Sequence, residues 1–211
     1  MNWQDFEKAR LDVKVLEITV ENRTFKRHKN PDGLVGGFVE TTAKVEKTSY
    51  VEYSAQVSGD ALVWGNAQVS GNAQVSGNAR VWGDARVSGN AQVYGDAQVY
   101  GNAQVYGDAR VSGDALVYGD AQVYGNAWVW GDALVYGDAR VWGNEIKTIL
   151  KTIQVFQYCI SITPKYVFCG CKQWTHQEFK KLTYKSSSAD SYMTEKQFTY
   201  VKKAVIEIMK Y

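Results

Sequence analysis

The sequence holds only two histidines, His28 and His176, and three cysteines, Cys159, Cys169 and Cys171. None of these five lies in the regular stretch 55–144, which also lacks threonine. An odd cysteine count confined to one end argues against a disulfide framework and for a reducing compartment. No run approaches the roughly 18 apolar residues that a membrane helix needs, so no membrane is expected to be spanned. Residues 1–10 are polar and charged, without the apolar core of a signal peptide. The expected location is therefore cytoplasmic.

At 211 residues and 45% apolar content, the chain is long enough to bury a real core. Its net charge of +2 is unevenly spread. Residues 55–144 carry eight Asp and four Arg, a balance of −4, whereas residues 145–211 carry eleven Lys against five acids, a balance of +6. A lysine-biased tail of that size reads first as a solvated surface. Contact with phosphate or nucleic acid is the less favoured reading.

What is present is one phrase, A-x-V-x-G-[ND], written fifteen times without insertion from Ala55 to Asn144. A strict short period marks a stacked solenoid. Ala and Val never vary, while the residue between them does, which is the period-two alternation of a short strand with one buried face. Gly followed by Asn or Asp tolerates positive φ, so every sixth residue is a corner.

This phrase resembles the hexapeptide repeat of left-handed parallel β-helices, with Val57 at the aliphatic position and Ala61 at the small position four residues later. The resemblance implies a triangular prism with three hexads per coil. Weaker copies precede the array: Val39 with Ala43, Val45 with Ser49, and Val51 with Ala55 keep the inward positions but lose the Gly-Asn corner. The expected fold is mainly β, a left-handed parallel β-helix of about six triangular coils. At a strand spacing of about 4.8 Å, six coils stand roughly 29 Å tall.

The expected units are an N-terminal β cap over residues 1–38, the β-helix over 39–144, and a C-terminal α+β cap or domain over 145–211. In the first unit, Asp5–Arg10 suggests a helical turn, Val13–Val15 and Glu17–Glu21 suggest strands, and Asn22-Arg23 before Thr24–Arg27 suggests a hairpin. Asn30-Pro31-Asp32-Gly33 is a turn. In the last unit, Thr152–Ile162 reads as one strand and Tyr166–Cys169 as another. Thr175-His176-Gln177-Glu178 fits a capping box that opens a helix, and Ser186–Asp190 a flexible loop. Thr194 caps a second helix that carries Phe198, Val201, Val205, Ile208 and Met209 on one face.

The segment Gly36–Glu40, the near-perfect array, the Cys169-Gly170-Cys171 triplet and the helix start at Thr175–Phe179 together resemble uncharacterised hexapeptide-repeat proteins of phages and prophages. That resemblance implies a phage or mobile-element origin and the cytoplasm of a bacterial host. It carries no activity with it.

Acyltransferases on this fold use a histidine base and a loop thrown out from one corner. Both histidines here lie outside the array, and fifteen hexads contain no insertion. A base must reach the proton it removes, so an acyltransferase-like enzyme is only the alternative reading. Carbonic anhydrases of this fold need three metal-binding histidines, and ice-binding faces use Thr-x-Thr ranks; both are missing. Cys169, Cys171 and His176 form a weak zinc candidate, because C-x-C is a tight bite and buried structural cysteine is commoner. No cofactor is expected.

Sorting outward residues by an 18-residue period gives one distinctive face. It carries Leu62 and Trp64, Arg80 and Trp82, Gln98 and Tyr100, Leu116 and Tyr118, and Leu134 and Tyr136. Ladder stacking explains the aromatics. It explains the leucines less well, and a patch of several hundred Å² points to an interface. Tyr124, Trp128, Trp130 and Trp142, near the lysine-rich unit, are a second candidate platform for bases or nucleotides, although packing of the C-terminal unit over the last coils is the favoured reading of these aromatics. The expectation is a non-enzymatic binding or scaffold protein, a homo-oligomer (dimer or trimer). It would bind, and by binding inhibit or sequester, a host protein or a nucleotide. A virion structural component is a further alternative.

Overall fold

The computed structural model describes residues 3–10, 12, 14–142, 151–155, 158–162, 166–169, 172–186 and 194–209. Its body is a parallel β-solenoid of about six turns. Strands β3 (Val35–Glu40), β4 (Lys44–Val45) and β5 (Tyr50–Val51) make the first turn. One strand of two or three residues per hexad then follows, from β6 (Gln56–Val57) to β20 (Arg140–Trp142). Every third strand pairs in parallel, as in Arg80 with Leu62 on one side and Gln98 on the other. The register is therefore 18 residues per turn, and three sheets form the walls.

The alternation predicts the core correctly. The array's Ala and Val side chains from Ala55 to Val141 are buried and pack as one cluster, with Val39 and Val45 partly buried at its N-terminal end. Ser49 and Val51, inward positions of the degenerate first turn, are buried as well. At the corners the glycine φ is positive, for example +71° at Gly101. A Cβ on Gly101 would lie 3.1 Å from the Gly119 nitrogen one turn below. Conformation and close stacking both demand glycine there.

Beside each corner glycine, side chains form a second ladder. Asn66 donates to Asp84, Asn78 to Asp96, Asn90 to Asp108 and Asn102 to Asp120, all at 2.9–3.1 Å. The Asn/Asp variation of the repeat is thus a donor above an acceptor at these four places.

The N-terminal unit caps the first turn. Helix α1 (Trp3–Arg10) begins earlier than the sequence suggests, and its Phe6 packs with Ile18, Val20, Phe25 and Phe38. Strands β1 (Glu17–Val20) and β2 (Arg23–Lys29) form the expected antiparallel hairpin, and β2 continues antiparallel onto β3. The hairpin turn is Glu21-Asn22, both at positive φ (47° and 66°), one residue ahead of the sequence reading. The strand expected at Val13–Val15 does not form at its described residues. Instead Val15 N–H donates to Asp12 C=O in a turn. Alternation over three residues is too short to hold a strand without a partner.

In the C-terminal unit the single strand expected over 152–162 is two, β21 (Lys151–Val155) and β22 (Tyr158–Ile162), paired antiparallel. Strand β23 (Tyr166–Cys169) matches the expectation, and β24 (Lys172–Thr175) is an addition that completes a four-stranded sheet. Both capping boxes exist, at Thr175 for α2 (His176–Lys181) and at Thr194 for α3 (Glu195–Ile208). Phe198, Val201 and Val205 are buried as the helical spacing requires. The expected flexible loop over 186–190 lies outside the described residues, apart from Ser186. Tyr166 packs against the solenoid core, so the sheet meets the last turn.

Candidate functional site

Because strands stack in register without insertion, each outward residue sits directly over its equivalent 18 residues on. The sheet containing β4 thereby assembles the predicted ladder. Ring centroids are 4.8 Å apart for Trp64–Trp82, 4.3 Å for Trp82–Tyr100, 4.9 Å for Tyr100–Tyr118 and 5.4 Å for Tyr118–Tyr136. The first three pairs are within 4° of parallel and the last is at 13°. The neighbouring row runs Leu62, Arg80, Gln98, Leu116 and Leu134.

Stacking decides what this face can offer. Trp82, Tyr100 and Tyr118 have both ring faces occupied by neighbours, so only ring edges meet solvent. A flat ligand cannot slide between them. The five rings are half-buried, and so are Leu62 and Leu116, which the sequence reading took as exposed. Ladder neighbours cover them. Leu134, at 39% exposure, is the open apolar point of the row. Burial, aided by the nearby Tyr118, pushes the Tyr100 hydroxyl above its ordinary pKa.

The second set divides between two walls. Tyr124 stacks between Tyr106 at 5.0 Å and Trp142 at 5.9 Å. Trp128 and Trp130 lie on another sheet, tilted 38° to each other, with the Trp128 indole N–H donating to Ser112 Oγ at 3.3 Å. Trp130 is 38% exposed. The four do not form one platform.

Of the weak zinc candidates, Cys169 ends β23 and His176 opens α2, both half-buried. Cys171 lies outside the described residues. Among the described residues no three potential ligands gather.

Sequence reasoning missed the chemistry of the first turn. There the Glu40, Glu46 and Glu52 carboxylates accept from the N–H groups of Gly59, Gly65 and Gly71 at 2.7–2.8 Å. The hydroxyls of Thr42, Thr48 and Ser54 donate to the C=O groups of the same glycines at 2.5–2.6 Å. The signal was in the sequence as V-E-x-[TS], three times in succession from Val39. Beyond it, the Asn30 carboxamide takes both backbone groups of Val51, at 2.9 and 3.1 Å, and so closes the top of the β5 sheet.

Compared with known proteins, the chain matches the family described as YdcK Beta solenoid repeat at residues 55–71, 73–89, 79–95, 85–101 and 103–119. Each match spans just under one 18-residue turn, and the starts fall on all three walls. No curated protein matches the chain. The chain is a repeat β-helix protein whose array is similar to the YdcK β-solenoid repeat.

Proposed function

We propose that this chain is a non-enzymatic binding and scaffold protein that self-associates through the wall bearing Leu62, Trp64, Leu116, Tyr118, Leu134 and Tyr136. In this reading the β-helix is the left-handed hexapeptide type, carried by a phage or mobile element, and the assembled dimer or trimer engages a host protein. The supporting observation is the continuous ladder of five stacked rings beside leucines, ending at the exposed Leu134. A flat, rigid and regular wall loses little entropy when a second copy covers it. Covered ring faces favour a protein partner over a nucleotide.

Native mass spectrometry of the full chain tests the proposal. The expected result is a dimer or trimer that falls to monomer with Leu134→Asp, and with Leu116→Asp plus Tyr118→Ser. A monomeric parent protein, or variants that keep the parent mass, would sink it.

A further inference from the structure

The three walls of the solenoid end differently at the N-terminus. One is extended by the β2–β1 hairpin. The second is closed by the Asn30 carboxamide on Val51. The third ends at β4, with no strand beyond it among the described residues. Lys44 and Glu46 direct their N–H groups down to Ala61 and Val63 at 2.9 Å. By strand alternation the Val45 N–H and C=O point the other way, into the space that Asn30 fills six residues further along.

That space is a groove of about 460 Å³. Val39, Ala43 and Val45, the partly uncovered end of the core, line it on one side. Lys26, Arg27, His28 and Lys29 of β2 line the other. The one carboxylate in the lining, Glu40, is held by Arg23 and Gly59. Lys29, and Lys44 on β4 itself, make no ion pair among the described residues.

We infer that this groove is a docking site for an extended, acidic peptide segment of a partner protein, which adds a short strand to β4. Three features define the occupant. The N–H and C=O of Val45, without a partner among the described residues, ask for one peptide unit presented edge-on, as the Asn30 amide shows at the adjacent wall. The apolar lining takes one aliphatic side chain of alternate register. Lys26 is paired with Glu17 and Arg27 is engaged with Tyr53 and backbone C=O groups, so flanking carboxylates fall to Lys29 and Lys44. A nucleic acid would satisfy the charges but neither the strand edge nor the apolar lining, so peptide is the better fit.

Selection of a random heptapeptide display library on the full chain tests this. Enriched peptides are expected to combine Asp or Glu with alternating aliphatics. They should bind at least fivefold more weakly to Lys29→Glu, a change on β2 and off the self-association wall, and equally poorly to Thr41→Trp, which fills the groove from an exposed position without changing charge. Backbone amide shifts of Val45 on titration would place the site. Both variants should keep the parent's oligomeric mass, which separates this test from that of the self-association wall. No enrichment, peptides without acidic bias, unchanged binding to both variants, or displacement of the peptide by an equimolar oligothymidylate would each overturn the inference.

Discussion

The first turn and the array beneath it close the same three-walled coil with different chemistry. In the array, glycine adopts positive φ and its C=O accepts the backbone N–H of the turn above, as Asp84 N–H donates to Gly101 at 2.9 Å. In the first turn the glycine positions hold Thr41, Lys47 and Tyr53, and none has positive φ. There Glu and a hydroxyl clamp the glycine below instead. The array therefore stacks backbone on backbone, whereas the first turn finishes the stack with side chains. The difference follows from the two neighbours. An inner turn is copied above and below, but the first turn has no copy above it, and its geometry is free to serve the cap.

The strongest way to break this contrast lies at the lead-in to the first turn. A Cβ on Gly37 would meet the Ala55 C=O at 2.2 Å and the Glu52 C=O at 2.6 Å. That glycine exists for space, and neither obstacle is a side chain that can swing away. Gly37→Ala is expected to cost about 3 kcal/mol or more. Gly101→Ala, where the neighbour lies at 3.1 Å, should cost about 1–2 kcal/mol for the left-handed conformation. Denaturant unfolding of the two variants checks the order, and equal losses would erase the distinction.

An intermediate effect comes from the clamp's charge. Glu40 is held below the usual carboxylate range, first by its hydrogen bond from Arg23 and then by the Gly59 N–H, against an opposing push from burial. A carboxylate with a depressed folded pKa stabilises the fold above its unfolded value, near 4.5, and loses that contribution as pH falls through the folded value. The Gly59 amide should therefore lose exchange protection relative to array amides such as Asn78 N–H as pH drops below about 4.5. Glu40→Gln should weaken the cap by about 2 kcal/mol and abolish that relative loss. An unchanged ratio across the acid range would show that the first turn does not depend on this carboxylate.

The smallest effect sharpens the comparison inside the array. At one corner Asp96, Asp114 and Asp132 follow one another at the 18-residue spacing, so the donor-over-acceptor rule fails there. Asp114→Asn restores a donor above Asp132, on the pattern of Asn78 above Asp96. A gain of about 0.3–0.5 kcal/mol is expected, smaller in high salt, where repulsion is already screened. Thermal melts at low and high salt measure it, and a loss of stability would contradict the ladder account.

Much of this was legible in the residues. The invariant Ala and Val, the regular corners and the uninterrupted period specify the wall to which each outward side chain belongs, so the Trp64-to-Tyr136 ladder could be assembled by counting. Its degree of cover could not, because Leu62 and Leu116 are shielded by neighbours 18 residues away. The capping boxes at Thr175 and Thr194 were readable because a cap and its helix are adjacent in sequence. The split of 152–162 and the strand at Lys172–Thr175 were not, since a run of β-forming residues gives no sign of where a hairpin turns without its partner. The clamps were written openly as V-E-x-[TS], but nothing local says that such a four-residue motif reaches a glycine one turn below.

The sequence by itself determined the solenoid. Its strand period and its corners are local, and once every sixth residue turns the chain, stacking in register is the way to bury the Ala and Val faces. Only the tertiary structure decided how the ends are finished. Which wall is extended, which is closed by Asn30 and which is left open at Val45 depends on backbone groups that lose their partners only after the coil has formed, and the residues that answer them come from as far as 21 positions away.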